Sequence, residues 1–136
     1  MNPFRRAART HAPPLSHDET RAAWQVVSLL LDYPNEQLIE RVPMLRSVVG
    51  DLPGPVRMPL SSFLDHVSSQ PLQVIQKDYV DTFDYTRKCC LYLTYFTCGD
   101  TRRRGVALVQ FKQAYRRAGL VIDDSQELPD HLGVVL

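Results

Sequence analysis

The sequence is short of cysteine: three in 136 residues (Cys89, Cys90 and Cys98), an odd number with two adjacent. That excludes a disulfide framework and suits a reducing compartment. No run approaches the ~18 consecutive apolar residues of a membrane span. The basic start Met1-Asn2-Pro3-Phe4-Arg5-Arg6 meets Pro13-Pro14 where a signal peptide would place its apolar stretch, so a cytoplasmic location is expected. A glycine-rich phosphate loop, a nucleophile elbow and a paired-carboxylate signature are all missing, which leaves an enzyme reading without support. Metal-ligand spacing is missing too: the cysteines form no paired zinc pattern, and His11, His17, His66 and His131 sit in four separate segments.

Net charge is nearly absent as well, at +1, but its distribution is uneven. Residues 15–86 hold ten acids and five bases. Residues 87–117 hold eight bases and the single acid Asp100, and the segment from 118 carries four acids. The apolar fraction of 44% is that of an ordinary globular domain, and the length fits one domain.

What is present has helical periodicity. Residues 1–15, with Arg5, Arg6, Arg9 and three prolines, read as a disordered basic arm, and 16–136 as the folded domain. Ser16 with Glu19 fits a capping box, followed by Ala23, Trp24, Val27, Leu30 and Leu31 at helical spacing. Tyr33-Pro34 ends that helix. Asn35 starts a second, with a break expected at Pro43 and a stop at Gly50. Residues 51–59 are expected to be irregular, with a short helix from Leu60 to Val67 and another after Pro71 bearing Leu72, Ile75, Tyr79 and Phe83.

The run Leu91–Cys98 has strand-like composition but no partner strand, so a buried helix is the expectation. Asp100 or Thr101 caps the last long helix, whose stripe of Ala107, Leu108, Phe111, Ala114, Tyr115 and Ala118 is expected to bury. Its first turn holds Arg102, Arg103 and Arg104 at the positive dipole end, where something acidic should offset them. The expected fold is an all-α, single-domain helical bundle.

Five segments then stand together in order: Leu30-Leu31-Asp32-Tyr33-Pro34, Tyr79-Val80-Asp81-Thr82-Phe83-Asp84, Gly99-Asp100-Thr101-Arg102-Arg103-Arg104-Gly105, Tyr115-Arg116-Arg117-Ala118-Gly119-Leu120 and Glu127-Leu128-Pro129-Asp130-His131-Leu132. The chain from Trp24 to Leu136 resembles the NarJ-type nitrate reductase assembly chaperones, within the group that includes TorD and DmsD. The resemblance implies a cytoplasmic chaperone and not an enzyme. It would bind the N-terminal peptide of the nitrate reductase catalytic subunit and assist insertion of molybdenum guanine dinucleotide before membrane attachment, with no permanently bound cofactor. Asp130 and His131 match the family's partner-interaction motif. Cys89-Cys90 and the aromatic run depart from relatives, which more often carry a Ser-Leu-His-Leu helix there. Relatives also continue with further helices after the Pro-Asp-His-Leu motif, so the resemblance reads the chain as truncated.

From the residues themselves, Tyr79, Phe83, Tyr92, Tyr95 and Phe96 are expected to line a peptide groove. Asp84, Arg102 and Arg103 join Asp130 and His131 on its rim. Val134, Val135 and Leu136 are expected to pack against a second copy, as a homodimer or a domain-swapped dimer. The rival reading is a helical nucleic-acid-binding regulator using Arg102–Arg104. A weaker third is a small metal or redox module built on the cysteines.

Overall fold

The structure is a computed structural model, and it describes residues 13–99, 101–123 and 127–136. Most of the expected N-terminal arm, through residue 12, and Asp100 lie outside the described residues. Among those described, the chain is all-helical: α1 (His17–Leu30), α2 (Glu36–Gly50), α3 (Gly54–Ser69), α4 (Leu72–Tyr79), α5 (Leu93–Cys98), α6 (Arg102–Arg117) and α7 (Leu132–Val135). A π-helical turn, Val80–Asp84, extends α4, and a 3-10 turn, Arg87–Cys89, precedes α5.

Local chemistry accounts for the helix starts. Ser16 Oγ accepts from Glu19 N at 3.2 Å while Ser16 N donates to Glu19 Oε2 at 2.7 Å, the expected capping box. Asn35 Oδ1 accepts from Leu38 N at 3.0 Å and starts α2. Two boundaries differ from expectation. Pro43 does not break α2, and α3 begins at Gly54 and runs through Pro59. Each internal proline forfeits one ladder hydrogen bond and strains the preceding turn, costing ~3 kcal/mol. In α2 that cost is offset because Leu38, Val42, Leu45 and Val49 are all buried, each side chain contributing ~1.5–3 kcal/mol. Gly50 is the last residue of α2, without the positive φ of a left-handed cap.

The core joins α1 to α4. Val26 and Leu30 meet Leu38, Val42, Leu45 and Val49 of α2, Leu64 and Val67 of α3, and Ile75 of α4. The buried stripe of α1 is Ala23, Val26 and Leu30, so Trp24, expected inside, stands 51% exposed. It lies about 100° around the helix from Ala23 and misses the stripe.

Beyond the π turn the packing thins. Leu91–Tyr92 is extended, and the helix of this run starts only at Leu93. Tyr92 forms an isolated antiparallel bridge with His131, with Leu132 N donating to Leu91 O at 2.8 Å and Leu93 N to Asp130 O at 3.1 Å. The strand-like composition is therefore expressed over two residues. In α6 the expected stripe is only half-covered, and no residue of that helix is buried. Gly119, at φ +76°, closes α6, a left-handed position that glycine adopts without strain. The last helix folds back on α1 of its own chain. There Ser28 Oγ donates to Gly133 O, and Gly133 packs so closely that a Cβ would sit 3.1 Å from His131 Nδ1 and 3.3 Å from Ser28 O.

Candidate functional site

The segment 127–136 acts as a strap between α1 and α5, and its fixings define the site. Asp130 is fully buried, and it satisfies both leading N–H groups of α5. Its carbonyl takes Leu93 N, and its Oδ2 takes Thr94 N at 3.0 Å and Thr94 Oγ1 at 2.6 Å. Arg104 Nε in turn donates to Thr94 Oγ1 at 3.2 Å, and its guanidinium lies 5.8 Å above the Tyr92 ring. One of the three first-turn arginines thus works inside the fold, tied through a hydroxyl to a carboxylate, while Arg102 and Arg103 stay exposed. Asp130 Oδ1 has no hydrogen-bond partner and is buried among the described residues.

Tyrosine hydroxyls hold the rest of the strap. Tyr92 OH donates to Glu127 Oε2 at 2.9 Å, and Tyr115 OH donates to Pro129 O at 2.8 Å. Tyr79 OH donates to Leu31 O at 2.7 Å, bracing the end of α1. Its ring stands edge-on to Tyr33 at 5.5 Å and tilts against Phe83 at 4.8 Å. Burial pushes the Tyr79 hydroxyl up to about 12, reinforced by Glu127, Asp32 and Asp84. Burial, followed by the hydrogen bond to Glu127, raises Tyr92 further still. The shared influence of Glu127 places both tyrosines in one electronegative neighbourhood.

His131 is buried and edge-on to Tyr92 at 5.3 Å. Its Nδ1 accepts from Gly133 N at 3.1 Å, which leaves Nε2 as the protonated nitrogen of the neutral ring. Beside it an open cleft of about 340 Å³ runs between the end of α1 and the strap. Leu29, Val121, Ile122 and Val134 supply its apolar surface, and Asp32, Asp123 and Glu127 its carboxylates. Gly133 and Ser28 complete the wall.

Of the residues singled out from sequence, His131 lines this cleft, with Asp130 and Tyr92 directly behind it and Tyr79 and Phe83 beside the end of α1. Asp84 lies on the π turn. Tyr95 and Phe96 pair with each other on α5 at 5.9 Å, and Arg102 and Arg103 lie on the exposed side of α6; none of these four lines the cleft. Sequence reasoning missed Leu29, Asp32, Val121, Ile122 and Val134. Leu29 and Asp32 could have been flagged by position, since they fall just outside the buried stripe of α1. The three cysteines are free and half-buried, and no cluster of His, Cys, Asp or Glu able to hold a metal occurs among the described residues. No helix among them is long and apolar enough to cross a membrane.

The architecture gives the fold first. It superimposes with a TM-score of 0.63 on the crystal structure of an Archaeoglobus fulgidus protein assigned to redox enzyme maturation, covering 93% of this chain and 72% of that one at 21% identity. That likeness shows the shared fold. The sequence then gives the family: residues 50–136 match the nitrate reductase delta subunit family, and the chain belongs to it. It is 34% identical over 115 residues to the nitrate reductase molybdenum cofactor assembly chaperone NarJ of Escherichia coli, covering 82% of this chain and 48% of that protein. A NarJ assigned to the same role in Bacillus subtilis is 29% identical, over 87% of this chain and 64% of its own length. The nitrate reductase-like protein NarX of Mycobacterium tuberculosis is 37% identical over 90% of this chain and 18% of NarX. The chain thus spans about half to two thirds of these NarJ relatives and a small part of NarX.

Proposed function

We propose that the chain is an assembly chaperone for nitrate reductase, acting in the cytoplasm by binding and not by catalysis. Its client is the catalytic subunit, and the recognised element is that subunit's N-terminal segment. Holding the apo-subunit in this way assists insertion of molybdenum guanine dinucleotide before the complex meets the membrane. The roles of the NarJ relatives support the general reading. The observation that carries the specific one is the α1–strap cleft, an apolar floor with three carboxylates on its margin. An amphipathic helical segment fits such a groove when its apolar side chains face Leu29, Ile122 and Val134 and its basic ones face Asp32 and Glu127. The nucleic-acid alternative gains nothing from this cleft, whose charge is of the wrong sign.

Calorimetric titration of the chain with the client's N-terminal ~15–20 residues tests the reading. Saturable binding is expected, weakened by ~1–3 kcal/mol in Val134→Asp, which puts a charge on the exposed cleft wall at a residue outside the core cluster. Binding by the wild type that Val134→Asp leaves unchanged would move the site away from this cleft. No binding at all would remove the client assignment.

A further inference from the structure

The basic block of the sequence is not absorbed by the cleft. It belongs mostly to α6, sixteen residues with six cations and no acid, Arg102-Arg103-Arg104-Gly105-Val106-Ala107-Leu108-Val109-Gln110-Phe111-Lys112-Gln113-Ala114-Tyr115-Arg116-Arg117. The helix divides cleanly by face. Arg104, Ala107, Leu108, Phe111 and Tyr115 turn toward the fold and are half-buried. At helical spacing, Arg102, Val106, Val109, Gln113 and Arg117 fall on the opposite side, with Arg103, Gln110 and Arg116 flanking them. All eight are exposed. Val106 is 62% and Val109 52% exposed. The ion pairs Arg46–Asp65, His66–Asp78 and Lys77–Asp81 lie on other elements, and none found among the described residues engages Arg102, Arg103, Arg116 or Arg117.

We infer that this outer face of α6 is a peripheral docking surface for an anionic phospholipid bilayer. The cations form two pairs, Arg102–Arg103 and Arg116–Arg117, about 20 Å apart along the helix, with valines and glutamines between them. Arginine suits phosphate, because its planar fork donates two hydrogen bonds at once and is weakly hydrated. A phosphate backbone alone would leave Val106 and Val109 facing charge. A bilayer interface accepts both: headgroup phosphates at the ends, and the acyl boundary under the apolar middle. The helix lies flat on the surface and does not insert. The nearest acids after it in the chain are Asp123 and Asp124, and Asp123 lies on the cleft side. The inference rests on α6 alone, so it stands or falls separately from client binding at the cleft.

The test is co-sedimentation of the full chain with vesicles of phosphatidylcholine, with or without about 30% phosphatidylglycerol, at ~0.1 M and ~0.5 M salt. The protein should pellet with the anionic vesicles at low salt, remain in solution with the zwitterionic ones, and be released at high salt. Arg116→Gln with Arg117→Gln should lower partitioning about 30-fold, each lost arginine being worth about fivefold near an anionic surface. Val106→Asn with Val109→Asn should weaken it as well, with circular dichroism checking that both variants keep the wild-type helix content. Equal pelleting with both vesicle types, no pelleting, or wild-type behaviour of the arginine variant would each overturn the inference. So would tighter retention by random duplex DNA than by vesicles at the same salt, which would assign the face to nucleic acid.

Discussion

Replacing Asp130 by alanine should destabilise the domain by about 3 kcal/mol. Asp130 Oδ2 accepts two hydrogen bonds from Thr94, and Thr94 is itself 2% exposed, so water cannot replace them. A hydrogen bond to a charged group contributes ~1.5–3 kcal/mol, and the stranded Thr94 donors add a desolvation cost of ~1–3 kcal/mol. Against this, a buried carboxylate with Oδ1 unpartnered carries its own desolvation penalty, which the truncation relieves. The balance falls near 3 kcal/mol, or roughly 10 °C in Tm for a chain of this length. Asp130→Asn separates the two contributions. Its amide oxygen can accept both Thr94 donors while the charge is removed, so it should cost less than about 1.5 kcal/mol. Urea denaturation of wild type, Asp130→Ala and Asp130→Asn measures both. Equal losses in the two variants would show that the charge, and not the acceptor geometry, holds α5 in place, and would refute the capping argument.

Tyr79→Phe should cost ~0.5–1.5 kcal/mol, since it removes the bond to Leu31 O but keeps the ring contacts with Tyr33 and Phe83; urea denaturation reads the loss, and no loss would mean the hydroxyl is not a brace. Because folding raises the Tyr79 hydroxyl to about 12, the folded state favours its neutral form. Its contribution to stability is then complete below the ordinary value near ~10 and is lost as pH climbs toward ~12. A spectroscopic alkaline titration should show tyrosinate from Tyr79 and Tyr92 appearing only above the ordinary range, and a normal titration of both would contradict the buried geometry. Ser16→Ala removes one arm of the capping box and should cost about 1 kcal/mol, seen as fraying at the start of α1 by hydrogen exchange.

Legibility in the sequence followed burial. The helices α1 to α4 could be read because their apolar residues recur at helical spacing and meet in one core. Pro43 and Pro59 misled because local rules assign them to helix ends, whereas in α2 the burial of Leu45 and Val49 outweighs one lost hydrogen bond. Trp24 misled for a related reason. It was counted on the same apolar face as Ala23, but the buried stripe is Ala23, Val26 and Leu30, and Trp24 lies about 100° off it.

The site was less legible because its essential contacts join residues far apart in sequence, 36 for Thr94–Asp130 and 105 for Ser28–Gly133. That α5 is capped by Asp130 follows from no local pattern: Tyr92, the residue at its N-cap, makes no side-chain capping bond, and the carboxylate arrives from the strap. An aromatic surplus was readable in Tyr79, Phe83, Tyr92, Tyr95 and Phe96, but not the use made of Tyr79, Tyr92 and, outside that set, Tyr115. A tyrosine can present its hydroxyl to a partner or spend it on the fold. All three spend it here, on Leu31 O, Glu127 and Pro129 O. Their rings and hydroxyls fix the walls, and the open surface falls to smaller residues, Leu29, Val121, Ile122 and Val134, which no aromatic pattern marks. In the Pro-Asp-His-Leu motif the two polar residues divide the work: Asp130 faces inward and fixes α5, while His131, its Nδ1 held by Gly133 N, faces the cleft. If the proposed client binds in this cleft, a substitution at Asp130 acts on it through the position of the strap, and one at His131 through the cleft wall itself.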